Sequence, residues 1–168
     1  MNASPHTSIG YWIAAVSLVL LTIFGWLHSP IDRTTGRPLL LIPEVKAVHD
    51  YQTKARSWIG QFEVLDAQIS GLLIEPSGDL FRRSSQANQA VEAAVSQAQV
   101  IDRTQAPLSL TSLHQSIHQA ALAYLEAARS ALVWISTPAP DKLDAAKANL
   151  EKARQQVEHL RQSEWLIP

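Results

Sequence analysis

The first 31 residues carry no charged side chain. Inside that stretch runs Ile-Gly-Tyr-Trp-Ile-Ala-Ala-Val-Ser-Leu-Val-Leu-Leu-Thr-Ile-Phe-Gly-Trp-Leu, residues 9–27. As a helix this run is roughly 28 Å long, close to the ~30 Å hydrocarbon core of a bilayer. A lone segment in lipid must satisfy its backbone amides internally, so helix is the form it takes. Tyr11 and Trp12 lie near one end, and Phe24 and Trp26 near the other. That is the aromatic belt expected at the two interfaces. The sequence therefore predicts a short polar N-terminus over 1–8 and a single transmembrane helix over 9–27. A cleaved signal peptide would need Lys or Arg before the apolar run and paired small residues after it. Neither is present, so the segment is expected to remain as an uncleaved anchor.

Arg33, Arg37 and Lys46 come after the apolar run, and no Lys or Arg precedes it. The positive-inside bias points the rest of the chain to the cytoplasmic face. The bias is small, because Asp32 and Glu44 dilute it.

Residues 28–42 read as a linker: Pro30, Pro38 and Gly36 fall within it and Pro43 just after. Proline stops a helix from running on, so the anchor and the next helix are expected to be separate rods. Leu39, Leu40, Leu41 and Ile42 form an apolar run too short to span. It can pack on the base of the adjoining domain, or lie against a bilayer surface or a partner.

From 43 to 168 the apolar residues fall at alternating steps of three and four, the signature of helices meeting along a seam. The first such helix covers 43–74, with Val48, Tyr51, Ala55, Trp58, Phe62, Leu65, Ile69 and Leu72 on its seam. The second covers 79–102 and presents Leu80, Ser84, Ala87, Val91, Ala94, Ala98 and Ile101. The third, 109–135, starts after a candidate Ser109 cap and presents Leu110, Leu113, Ile117, Ala120, Tyr124, Ala127, Ala131 and Trp134. The fourth, 140–164, presents Leu143, Ala146, Leu150, Ala153, Val157 and Leu160, with five acids and five bases between Asp141 and Glu164. Four long helices with short connections predict an all-α chain: one N-terminal transmembrane helix, then an antiparallel up-down four-helix bundle. In that topology the fourth helix returns to the end where the first began. The apolar tail Trp165, Leu166 and Ile167 is then expected near the bilayer surface or a partner.

The chain has no cysteine, which removes disulfides, thiolate nucleophiles and every Cys-based metal site. Fourteen Lys and Arg against fifteen Asp and Glu give a net charge of −1, unlike a basic nucleic-acid binder. His114 and His118, four apart on the third bundle helix, are the weak candidates for a metal, lacking a third ligand by spacing. Asp66 and Glu126 lie off the seams and do not pair by sequence. No Ser–His–Asp pattern, phosphate loop or Glu-x-x-His run occurs. The chain is therefore expected to be non-catalytic and to need no cofactor.

The third bundle helix is apolar beyond its seam: Leu122, Leu125 and Leu132 fall elsewhere on it. A helix apolar on most sides is buried on most sides. Those three leucines, with Leu39, Leu40, Leu41, Trp165, Leu166 and Ile167, are the candidate surface for a protein partner or for self-association. The plan of anchor plus bundle is similar to that of the sensory four-helix domains of bacterial receptors, a likeness of architecture alone. Two functions fit this plan. The first is an accessory subunit that docks its bundle to a membrane-associated assembly. The alternative is a tethered ligand-binding or sensory module, whose pocket Tyr51, Trp58 and Phe62 would line.

Overall fold

The computed structural model describes residues 6–29, 43–74 and 79–166. Among them are five α-helices and no strand: α1 His6–His28, α2 Pro43–Ile74, α3 Leu80–Arg103, α4 Thr111–Ser136 and α5 Pro140–Arg161, with a 3-10 turn at Leu108–Leu110 before α4. Arg33, Arg37, Leu39, Leu40, Leu41 and Ile167 lie outside the described residues, as does the side chain of Tyr11. The chain divides into two units, Met1–Ala47 and Val48–Pro168.

In the first unit, α1 has described side chains at Trp12 and over 15–27. All but the half-buried Gly25 are exposed, and among the large apolar side chains Trp12, Leu21 and Leu18 are the most exposed. Its Thr22 hydroxyl donates back to the Leu18 carbonyl at 2.7 Å, hiding a polar group inside the helix's own ladder. Among the described residues no helix is long and apolar enough to cross a membrane. The expectation of a transmembrane span over 9–27 therefore finds no support among them.

The second unit is a helical bundle, and its named contacts fix the directions of its helices. Leu72 meets Arg83 and Trp58 meets Gln97, so α2 and α3 run oppositely. Asp66 meets Arg154 and Gln52 meets Trp165, so α2 and the α5 end of the chain do too. Ser130 meets Asn149 from α4 to α5, and Arg83 and Asp102 of α3 meet Trp134 and His118 of α4. Tyr51 meets His114 and Phe62 meets Tyr124, so α2 and α4 run the same way across the diagonal.

Large residues occupy that diagonal and alanines the flanks. Phe62 stacks on Tyr124 with centroids 5.3 Å apart, and Tyr51 stands edge-on to Trp58 at 5.8 Å. Such pairs add about 0.5–1.5 kcal/mol each beyond the area they bury. Ala87, Ala90, Ala94 and Ala98 let α3 approach closely. That closeness allows Gln97, the buried polar residue among those described, to donate its Nε2 to the Trp58 carbonyl at 3.1 Å.

Three local expectations are corrected. Leu80 does not join the seam. It is the first residue of α3, and it stays 62% exposed. At that level of the bundle Arg83 takes the inner position, with its guanidinium 4.9 Å from the Trp134 ring centre. Its Nη2 donates to the Leu72 carbonyl at 3.1 Å, a cation on the negative end of α2. Ser109 does not cap α4. The 3-10 turn leads in instead, and Thr111 Oγ1 donates to the Leu108 carbonyl at 2.9 Å. The tail residue Leu166 is not left for a bilayer or a partner, because it is buried in the bundle's own core. Asp79 caps α3, accepting from the Phe81 amide at 3.1 Å.

Candidate functional site

Three places in the bundle gather polar chemistry or uncovered apolar surface. The first is a clamp between α2, α4 and α5. Arg154 donates to the half-buried Asp66 through Nε at 2.7 Å and Nη2 at 3.0 Å. The same Nη2 reaches the Ser70 hydroxyl at 2.7 Å. The Tyr124 hydroxyl donates to Asp66 Oδ1 at 3.4 Å. Glu63 and Arg161 form a second ion pair one turn along. Burial, and then the Asp66 charge, raise Tyr124 above its ordinary range, so its hydroxyl keeps its proton and remains a donor. Asp66 holds Arg154 firmly protonated. Arg154 thus meets both carboxylate oxygens of Asp66 in a bidentate clamp. It ties α5 to α2.

The second place is the end of the bundle where α2 enters. Burial pushes the Tyr51 hydroxyl up to about 12, so it keeps its proton, and it shares a 2.7 Å hydrogen bond with His114 Nδ1 whose direction is set by the histidine tautomer. His114 titrates below the ordinary histidine value. Burial is the largest cause and the neighbouring His118 the second, while Asp102 opposes them. His118 Nε2 lies 3.8 Å from Asp102 Oδ1 on α3. The two histidines thus engage different partners. Among the described residues no group of three or more His, Cys, Asp or Glu side chains is placed to hold a metal. The tail turns back onto this end: Leu166 is buried, Trp165 is half-buried against the core, and the Trp165 carbonyl accepts from Gln52 at 3.0 Å. Of these two tail residues, Trp165 is the one left partly open.

The third place is the outward side of α4. Leu125 and Leu132 are half-buried and pack on the core, while Leu122 is 46% exposed and Val133 48%. Leu122 and Ala123 floor a groove between α4 and α5, rimmed by Gln119, Glu126, Asn149 and Lys152. Sequence reasoning singled out Leu122 but not Val133. The signal was present, because Leu122, Glu126, Arg129 and Val133 repeat the three-and-four step half a turn from the core seam. The Asp66–Arg154 clamp had no such signal, since partners 88 residues apart meet only once the register of two helices is set. No known protein family, curated protein or solved structure matches the chain.

Proposed function

We propose that this chain is a non-catalytic, membrane-anchored accessory protein. In this reading α1 holds it in a bilayer through residues 9–27, and its helical bundle docks to a larger membrane-associated assembly. The observation that carries the reading is the surface of α1. Its exposed side chains over 15–27 are apolar apart from Ser17 and Thr22, and none is charged. A helix apolar on all sides needs an apolar surrounding. As a helix, the apolar run 9–27 reaches roughly 28 Å, close to the ~30 Å core of a bilayer. Arg33, Arg37 and Lys46 favour the cytoplasmic side for the bundle.

Docking is supported by Leu122 and Val133, which the bundle leaves open to a partner. The aromatic residues of α2 favour docking over a ligand pocket. All three are buried, Tyr51 edge-on to Trp58 and Phe62 stacked on Tyr124.

The test has two steps. Membranes bearing the full chain are washed with alkaline carbonate and then extracted in mild detergent. The reading expects the chain to stay with the membrane through the wash, and then to leave in a particle heavier than one chain plus its micelle. A chain released by the carbonate wash defeats the anchor. A chain extracted as a lone monomer defeats the docking role.

A further inference from the structure

The outward stripe of α4 reads the same from either end. Gln119, Leu122, Glu126, Arg129, Val133 and Ser136 are all exposed and advance by alternating steps of three and four residues. That spacing is the one a helix uses to present a continuous seam to another helix. Laid antiparallel against itself, with the two-fold axis between Ala127 and Ala128, the stripe pairs Leu122 with Val133. It also pairs Glu126 with Arg129, and Gln119 with Ser136. Apolar meets apolar, acid meets base, and amide meets hydroxyl in each layer. Neither Glu126 nor Arg129 has an ion-pair partner among the described residues.

From this self-complementarity we infer that the partner for the α4 face is a second copy of the chain, packed antiparallel through α4. The inference rests on the docking reading above and names its occupant. An isologous contact of this kind closes as a dimer and leaves no open end. The two central Glu126–Arg129 layers fix direction as well as register. A parallel, in-register pair would set Glu126 against Glu126 and Arg129 against Arg129, so like charges reject that arrangement. Leu122 and Val133 flank the charged layers and supply the apolar surface removed from water. The seam is narrow, so its affinity in free solution is modest.

The experiment uses the full chain in mild detergent, with its mass measured by sedimentation across a range of protein concentrations. Four proteins are compared: the natural chain, Glu126→Arg, Arg129→Glu, and the double swap E126R/R129E. Both positions are exposed, and far-ultraviolet circular dichroism confirms that each variant keeps its helices. The natural chain is expected to dimerise. Each single swap places like charges together twice per dimer and weakens association about tenfold or more. The double swap restores opposite charges in both layers and returns association to near the natural value. A dimer indifferent to all three substitutions overturns the inference, because the copies then meet elsewhere. A natural chain that is monomeric alone, yet extracted from membranes with fixed companions of other kinds, overturns the second copy as partner and leaves the docking reading standing. A monomer without companions overturns both.

Discussion

Along α4, Ile117, Ala120, Tyr124, Ala127 and Ala131 are shut inside the bundle, while half a turn away Leu122 and Val133 keep nearly half of their surface in solvent. Both rows keep the same three-and-four spacing. They differ in what they meet. The inner row is alanine-rich and matched to the large residues of α2, with Tyr124 stacked on Phe62. The outer row has a leucine, a valine and one charge of each sign, and nothing in the described bundle fills the space before it. The lesson is that one helix can hold a fold together with one face and present a contact with the other. Substitutions should separate the two cleanly.

The largest effect is expected from Ile117→Ala, which removes a fully buried side chain and leaves a cavity. Such a change costs about 2–5 kcal/mol, read as a drop in the urea midpoint. Ala127→Leu tests the same face from the other side. Its site has no exposed surface, so added volume must displace neighbours, at about 1–3 kcal/mol. An unchanged midpoint in that variant would mean that α4 is packed less closely than its alanines imply. Tyr124→Phe keeps the stack on Phe62 and deletes the hydroxyl that donates to Asp66. The expected loss is about 0.5–1.5 kcal/mol, at the lower end because Arg154 still satisfies the carboxylate.

A smaller, pH-dependent loss is expected at the end of the bundle where α2 enters. Folding lowers the His114 value, so as pH falls the unfolded chain binds its proton first. The stability gained from keeping this ring neutral is full above about 6.5, the unfolded histidine value, and declines as pH falls towards the lowered folded value. The groups facing His114 are Tyr51 on α2, His118 on α4 and Asp102 on α3, and the charge on Asp102 tempers the decline. Urea midpoints measured from about pH 7.5 down to about pH 5 should show the fall, and His114→Gln should flatten it. The smallest change in stability belongs to Leu122→Ala, within about 0.5 kcal/mol of the natural chain. A loss as large as that of Ile117→Ala would erase the distinction between the two faces.

How much of this was legible beforehand depends on which forces act locally. The α2 seam from Tyr51 to Leu72 was readable, because one period of large residues dominates it. The eight seam positions from Leu110, in the 3-10 turn, to Trp134 on α4 are buried as expected, but Ala121, Ala128 and Ile135 are buried beside them. Alanine carries too little hydrophobicity to announce a second stripe. Leu80 misled because periodicity knows nothing of where a bundle ends. The stacking of Arg83 on Trp134 depends on the α3–α4 register, which one helix's pattern does not carry. The same dependence hid Asp66–Arg154, Tyr51–His114 and Gln52–Trp165, each joining residues more than sixty positions apart. The tail was expected at this end of the bundle, but its Leu166 is enclosed by the bundle itself.

The most direct test of the central claim is one comparison on the double variant L122N/V133N in the full chain. Particle mass in mild detergent is measured beside the urea midpoint, the latter at a dilution where the natural chain is monomeric. If α4 keeps the fold with its inner face and makes contact with its outer one, the heavy particle is lost while the midpoint stays where it was. A midpoint that falls sharply while the particle keeps its mass would contradict the account.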